Sequence, residues 1–156
     1  AVLKDPDVPF ATSLHDHIGS EGNIIVWHKA FECGTVNKYL SERHPEYTDF
    51  FADFEARVYD LEDVFSKRLY VDRGFLGRSS IKNVLPVLVP ELSYKELDIR
   101  DGTAASVAWP KLVSGELSDA QFEDLCQALR KYCGLDSYAM YAIWIGLSKL
   151  VGAAPS

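Results

Sequence analysis

An α/β fold, rich in helix and poor in strand, is predicted from three observations. The segment NIIVWH, residues 23–28, is a short apolar run with β-branched residues, the pattern of a strand buried on both faces. A second short run, RVYDL at 57–61, follows two stretches with apolar residues at helical spacing. From Ser79 onward the spacing is almost wholly helical, so strand, helix, helix, strand gives way to a run of helices.

Taken in order, DPDVPFATSLHDHIG places Val8, Ala11, Leu14 and Ile18 on one helical stripe, with Asp7 expected to cap it and Gly19 to end it. After the first strand, FECGTVNKYLSERH presents Phe31, Val36, Tyr39 and Leu40 as an apolar stripe, and YTDFFADFEA is a further helix before RVYDL. Gly and Ser cluster at 74–80 as a surface loop. SIKNVLPVL, DGTAASVAWPKLV and a long segment opening at LSDAQFEDL read as helices. Ser118 is the expected N-cap of the last, with Asp119, Glu123 and Asp124 at its positive end.

The chain has 156 residues, 47% of them hydrophobic, which suits one compact domain spanning 1–156. Its formal charge of −7 repels phosphate and argues against a nonspecific nucleic-acid coat, although bound divalent cations can reverse the sign locally. Three cysteines, Cys33, Cys126 and Cys133, suit neither a disulfide framework nor a zinc module, so a reducing cytoplasm is the expected location. No window approaches the roughly 18 to 20 apolar residues that span a bilayer.

Two strands are few for buried parallel pairing, which normally belongs to larger sheets. The chain also opens at AVLKDPD without methionine, where AVL reads as the tail of a strand. Together these predict a fragment of a larger α/β protein.

Several residues can carry chemistry. Tyr132 and Asp136 stand four apart in RKYCGLDSYAM, so one helix face can offer a phenol and a carboxylate to one ligand; as ordinary helix residues they would simply be half-buried and exposed. Glu32 follows the first strand and His28, where open α/β sheets place their sites, or it is a first-turn glutamate favoured by the helix dipole. Asp60 ends the second strand as a further acid, or as the N-cap of LEDVFSKRL. Such carboxylates suit Mg²⁺ or Mn²⁺; zinc is disfavoured because no histidine or cysteine pair has ligand spacing. Between residues 67 and 82, Lys67, Arg68, Arg73, Arg78 and Lys82 stand against the single acid Asp72, either a phosphate grip or a solvated loop. No G-x-S-x-G, P-loop or G-x-G-x-x-G occurs, which turns the reading away from nucleophilic hydrolases and nucleotide-cofactor enzymes.

In sequence, IIVWHKAFECGTVNKYLSERHPEY, RVYDLEDVF, SSIKNVLPVLVPELSYKELDIRDGTAA and YCGLDSYAM resemble the bacterial family known as domain of unknown function 2779, over about Asp5 to Leu150. That family is similar to ribonuclease-H-like, DnaQ-type 3'-5' exonucleases with an Asp-Glu-Asp-Asp acid set. The resemblance implies a ribonuclease-H-like fold truncated at its amino end and two-metal hydrolysis of phosphodiesters in single-stranded DNA or RNA. It implies that Glu32 and Asp136 hold Mg²⁺ or Mn²⁺, with Asp60 nearby, and that Tyr132 orients the attacking water. His28, Arg78 and Lys82 are then expected against the nucleic-acid substrate. Phe31-Glu32 departs from the usual Phe-Asp by one methylene, and the first apolar strand of the chain, NIIVWH, carries no Asp-x-Glu, the family's first motif. The fragment is therefore expected to be inactive or very weak alone. Its exposed strand edge is expected to favour self-association. A noncatalytic binding or scaffold domain with the same fold is the competing expectation.

Overall fold

The computed structural model describes residues 5–152, which divide into two compact units, Asp5–Val71 and the residues from Asp72 onward. The strand tail expected at Ala1–Leu3 lies outside the described residues. As expected, helix dominates, with two short strands among the described residues.

In the first unit, α1 (Asp7–Ile18) leads through Gly19, whose φ of 66° suits a residue without Cβ, to β1 (Ile24–Val26). Next come α2 (Lys29–Phe31), a π-helical turn at Glu32–Asn37 and α3 (Lys38–Arg43). The unit closes with α4 (Thr48–Arg57), β2 (Val58–Asp60) and the single turn α5 (Asp63–Ser66). β1 and β2 pair in parallel, Ile24 opposite Val58, Ile25 opposite Tyr59 and Val26 opposite Asp60. Only Val26 of β1 is fully buried, so this strand is shorter and less enclosed than its apolar run suggests.

The core gathers Ala11, Leu40 and Phe51 in one cluster and Val26, Cys33 and Phe54 in another, with Leu14 and Phe50 packed against both. Three details depart from the sequence reading. Pro6, not Asp7, occupies the N-cap position of α1, and the Asp7 carboxylate instead meets Arg43 Nε at 3.0 Å. Val8 is exposed rather than part of the stripe. Phe31 and Tyr39 are exposed too. A π turn holds one more residue than an α turn, which rotates Phe31 by about 100° relative to the residues after the turn. Tyr39 finds a different partner, its ring lying under the Arg43 guanidinium at 5.2 Å.

The second unit contains α6 (Ile81–Leu88), α7 (Gly102–Ser114) and α8 (Asp119–Leu150), with α6 and α7 each packed on α8. Val84 and Leu85 on α6 and Ala139 and Ile143 on α8 are completely buried. α8 has 32 residues, or about 48 Å at 1.5 Å per residue. Its start is a full capping box: Ser118 Oγ accepts the Gln121 N–H while Gln121 Oε1 accepts the Ser118 N–H. α7 is capped by Asp101, which accepts the Ala104 N–H at 2.8 Å.

Candidate functional site

Each unit gathers some of the residues singled out by sequence. In the first, β1 ends at Val26 and the chain turns sharply through His28, a non-glycine residue at φ 75° and ψ 67°. A left-handed conformation costs a residue with a Cβ on the order of 1 kcal/mol or more, so something must hold it.

Asp60, at the matching end of β2, does so. Its Oδ1 accepts the His28 N–H at 3.0 Å and the Glu62 N–H at 3.1 Å, while Oδ2 accepts the Lys29 N–H at 2.7 Å. One carboxylate thus ties together both strand ends and the start of α2. The N-cap reading of Asp60 captures only the local bond to Glu62; two of its three donors arrive across the sheet.

The His28 ring is exposed, and its Nδ1 lies 3.0 Å from Glu62 Oε2. Glu32 follows one turn later, half-buried, at the first residue of the π turn. Burial raises the Glu32 carboxyl above the ordinary range, and the nearby His28 partly offsets this. A raised carboxyl in the folded state means that stability is lost as pH climbs through its titration, because the unfolded chain gives up the proton first. Glu32→Gln is therefore expected to stabilise the protein at pH 7, by less than about 1 kcal/mol, and to lose that advantage below about pH 4. Thermal melts at the two pH values measure it, and a destabilising Gln at pH 7 would contradict the assignment.

In the second unit the Tyr132–Asp136 pair occupies one face of α8. Tyr132 is buried at 8% exposure, and Asp136 is half-buried. The third member is Tyr94, from the segment between α6 and α7, whose buried hydroxyl donates to Asp136 Oδ1 at 2.6 Å. The two tyrosine rings lie 6.1 Å apart, tilted by 51°. Both phenols are pushed well above the ordinary range, first by burial and then by hydrogen bonding to Asp136 and by its charge. Lys82, expected against substrate, sits on α6 with its ammonium 5.9 Å from the Tyr94 ring centre. Arg78 is exposed ahead of α6.

Tyr94 and Glu62 were not among the sequence candidates. Tyr94 stands alone in a polar stretch, SYKELD, with no periodicity to mark it, and its partner is 42 residues away. Glu62 reads as one more acid in a helix start.

Hard oxygen ligands in Asp136 and Glu32 have the chemistry that Mg²⁺ or Mn²⁺ prefers. The count does not suffice: among the described residues no three His, Cys, Asp or Glu side chains come together as a metal-holding group. The described residues therefore do not form a complete site for such an ion. Nor does any described helix have the length and apolar character to cross a membrane.

An α/β protein with carboxylates at the ends of a parallel strand pair and a phenol–carboxylate cluster on a long helix is the class these features define. More narrowly, the chain belongs to the DUF2779 family, a domain of unknown function, whose profile matches residues 2–80. It is also similar to the uncharacterized protein UU173 of Ureaplasma parvum serovar 3, at 29% identity over 153 residues. That alignment covers 88% of this chain and 22% of the relative, so the chain spans about a fifth of the relative's length. No solved structure shows a significant match.

Proposed function

We propose that this chain belongs to a metal-dependent nuclease domain of the 3'-5' exonuclease type, directed at phosphodiesters of single-stranded DNA or RNA. The observation that carries the reading is that Tyr132 and Asp136 share one face of α8, close enough for the Asp136 charge to help keep the buried phenol protonated. That is the arrangement the resemblance implies for Tyr132 and Asp136, with the aspartate as ligand and the tyrosine beside it. When bound, Mg²⁺ or Mn²⁺ would supply charge neutralisation at the phosphate and a water made more acidic. The chain's own contribution is to hold the Asp136 carboxylate and the Tyr132 hydroxyl in register. Arg78 and Lys82 offer positive charge to a nucleic-acid backbone. His28 and Glu32 offer a polar cluster at the strand ends, and Asp60 holds that turn in place. Ligands beyond those described would have to come from other parts of the intact protein.

A noncatalytic scaffold is favoured by a different observation. Asp136 already accepts a hydrogen bond from Tyr94, and Asp60 is occupied by three backbone donors, so both carboxylates have structural work.

The experiment that separates the readings uses the full-length protein, labelled single-stranded DNA and RNA, and Mn²⁺. Cleavage that is lost in Asp136→Asn supports the nuclease. No cleavage, or cleavage indifferent to that substitution, sinks it in favour of the scaffold.

A further inference from the structure

Tyr94 is 8% exposed, and a tyrosine buried this deeply needs a partner for its hydroxyl. The one it has is the carboxylate on which the functional reading turns. At 2.6 Å the O–H···O bond is in the range of charge-assisted contacts, which are shorter and roughly twice as strong as neutral ones.

The geometry bears on what Asp136 can do. A helical aspartate has a free χ2, so its two oxygens sweep a broad arc unless something fixes the carboxylate plane. Tyr132 stands one turn earlier on the same face of α8, its ring 6.1 Å from that of Tyr94. Tyr94 bonds Oδ1 from the segment between α6 and α7. That bond, arriving from a separate element, fixes the plane, while each oxygen keeps lone pairs for a further ligand. Lys82 lies 5.9 Å from the Tyr94 ring centre, so Tyr94 itself is held by an independent contact from α6.

We infer that Tyr94 is a positioning residue for Asp136, fixing the orientation of that carboxylate, rather than simply filling the space between α6 and α8. This rests on the nuclease reading of Asp136 for its consequence in activity, but not for its geometry.

Tyr94→Phe keeps the ring and removes only the donor, which makes it the informative substitution. In the full-length protein with Mn²⁺ and labelled single-stranded DNA, Tyr94→Phe is expected to lower kcat by about 10-fold, with KM changed less than twofold. A role confined to packing would leave both constants at their wild-type values. Proton NMR is the second readout: the Tyr94 hydroxyl should give a slowly exchanging resonance that disappears in Tyr94→Phe and shifts or disappears in Asp136→Ala. A wild-type kcat in Tyr94→Phe overturns the inference, and so does the absence of that resonance in the wild-type protein. If the wild-type protein cleaves nothing while the resonance is present and depends on Asp136, the nuclease reading falls and the positioning of Asp136 by Tyr94 stands.

Discussion

Asp60→Ala is expected to destabilise the first unit by about 2–4 kcal/mol. Three backbone N–H groups lose their acceptor at once, at distances of 2.7 to 3.1 Å in the native protein. Hydrogen bonds to charged groups contribute roughly 1.5–3 kcal/mol each, but these sites are half-open, so water recovers a large part. The left-handed His28 then keeps its conformational penalty without the bonds that offset it. Asp60→Asn should cost less, because its single amide oxygen can still accept from His28 and Glu62, whereas its NH₂ would face the Lys29 N–H. Replacing His28 by Gly in the Asp60→Ala background should return about 1 kcal/mol by removing the Cβ penalty. Urea denaturation of the four proteins measures the series. An Asp60→Ala loss below about 0.5 kcal/mol would show that the clamp contributes little.

How Asp60 came to this role also shows where sequence reading stops. Its position after an apolar run and before LEDVFSKRL makes it an N-cap candidate, and the bond to the Glu62 N–H has that local character. Nothing local announces the other two donors. They exist because β1 and β2 pair in parallel with Val26 opposite Asp60, a register set by tertiary packing. The same division runs through the chain. Ser118 was legible as a cap because its box is complete within four residues, and Gly19 because a stop signal is local too. Phe31 and Tyr39 were misplaced because a 3.6-residue period cannot anticipate the π turn at Glu32–Asn37. On α8, Tyr132 and Asp136 were visible as a pair because i and i+4 share a face. Tyr94 was invisible because only the packing of the segment after α6 brings it there.

That hidden partner leads to the second large effect, an alkaline instability with its source in the second unit. Tyr94 and Tyr132 are both buried, and both have phenols held well above the ordinary range by burial and by the Asp136 carboxylate. Below about pH 10 each phenol is protonated in folded and unfolded chains alike, so the interaction contributes its full stability and pH changes nothing. Above that, the unfolded chain releases its protons while the folded one retains them. Stability must then fall as pH rises toward the folded values, by about 1.4 kcal/mol per pH unit for each tyrosine that stays protonated. Two such groups together give a slope near 2.7 kcal/mol per unit. Asp136→Asn removes the charge but not the burial, so both phenols should titrate at lower pH and the alkaline slope should soften, although the variant starts less stable at pH 7. Tyrosinate absorbance at 295 nm, followed together with circular dichroism, distinguishes the two states. In the wild-type protein two of the eight tyrosines should ionise only as the helical signal is lost. If all eight ionise before unfolding, Asp136 does not hold the two phenols, and the cluster on α8 is looser than its 2.6 Å hydrogen bond indicates.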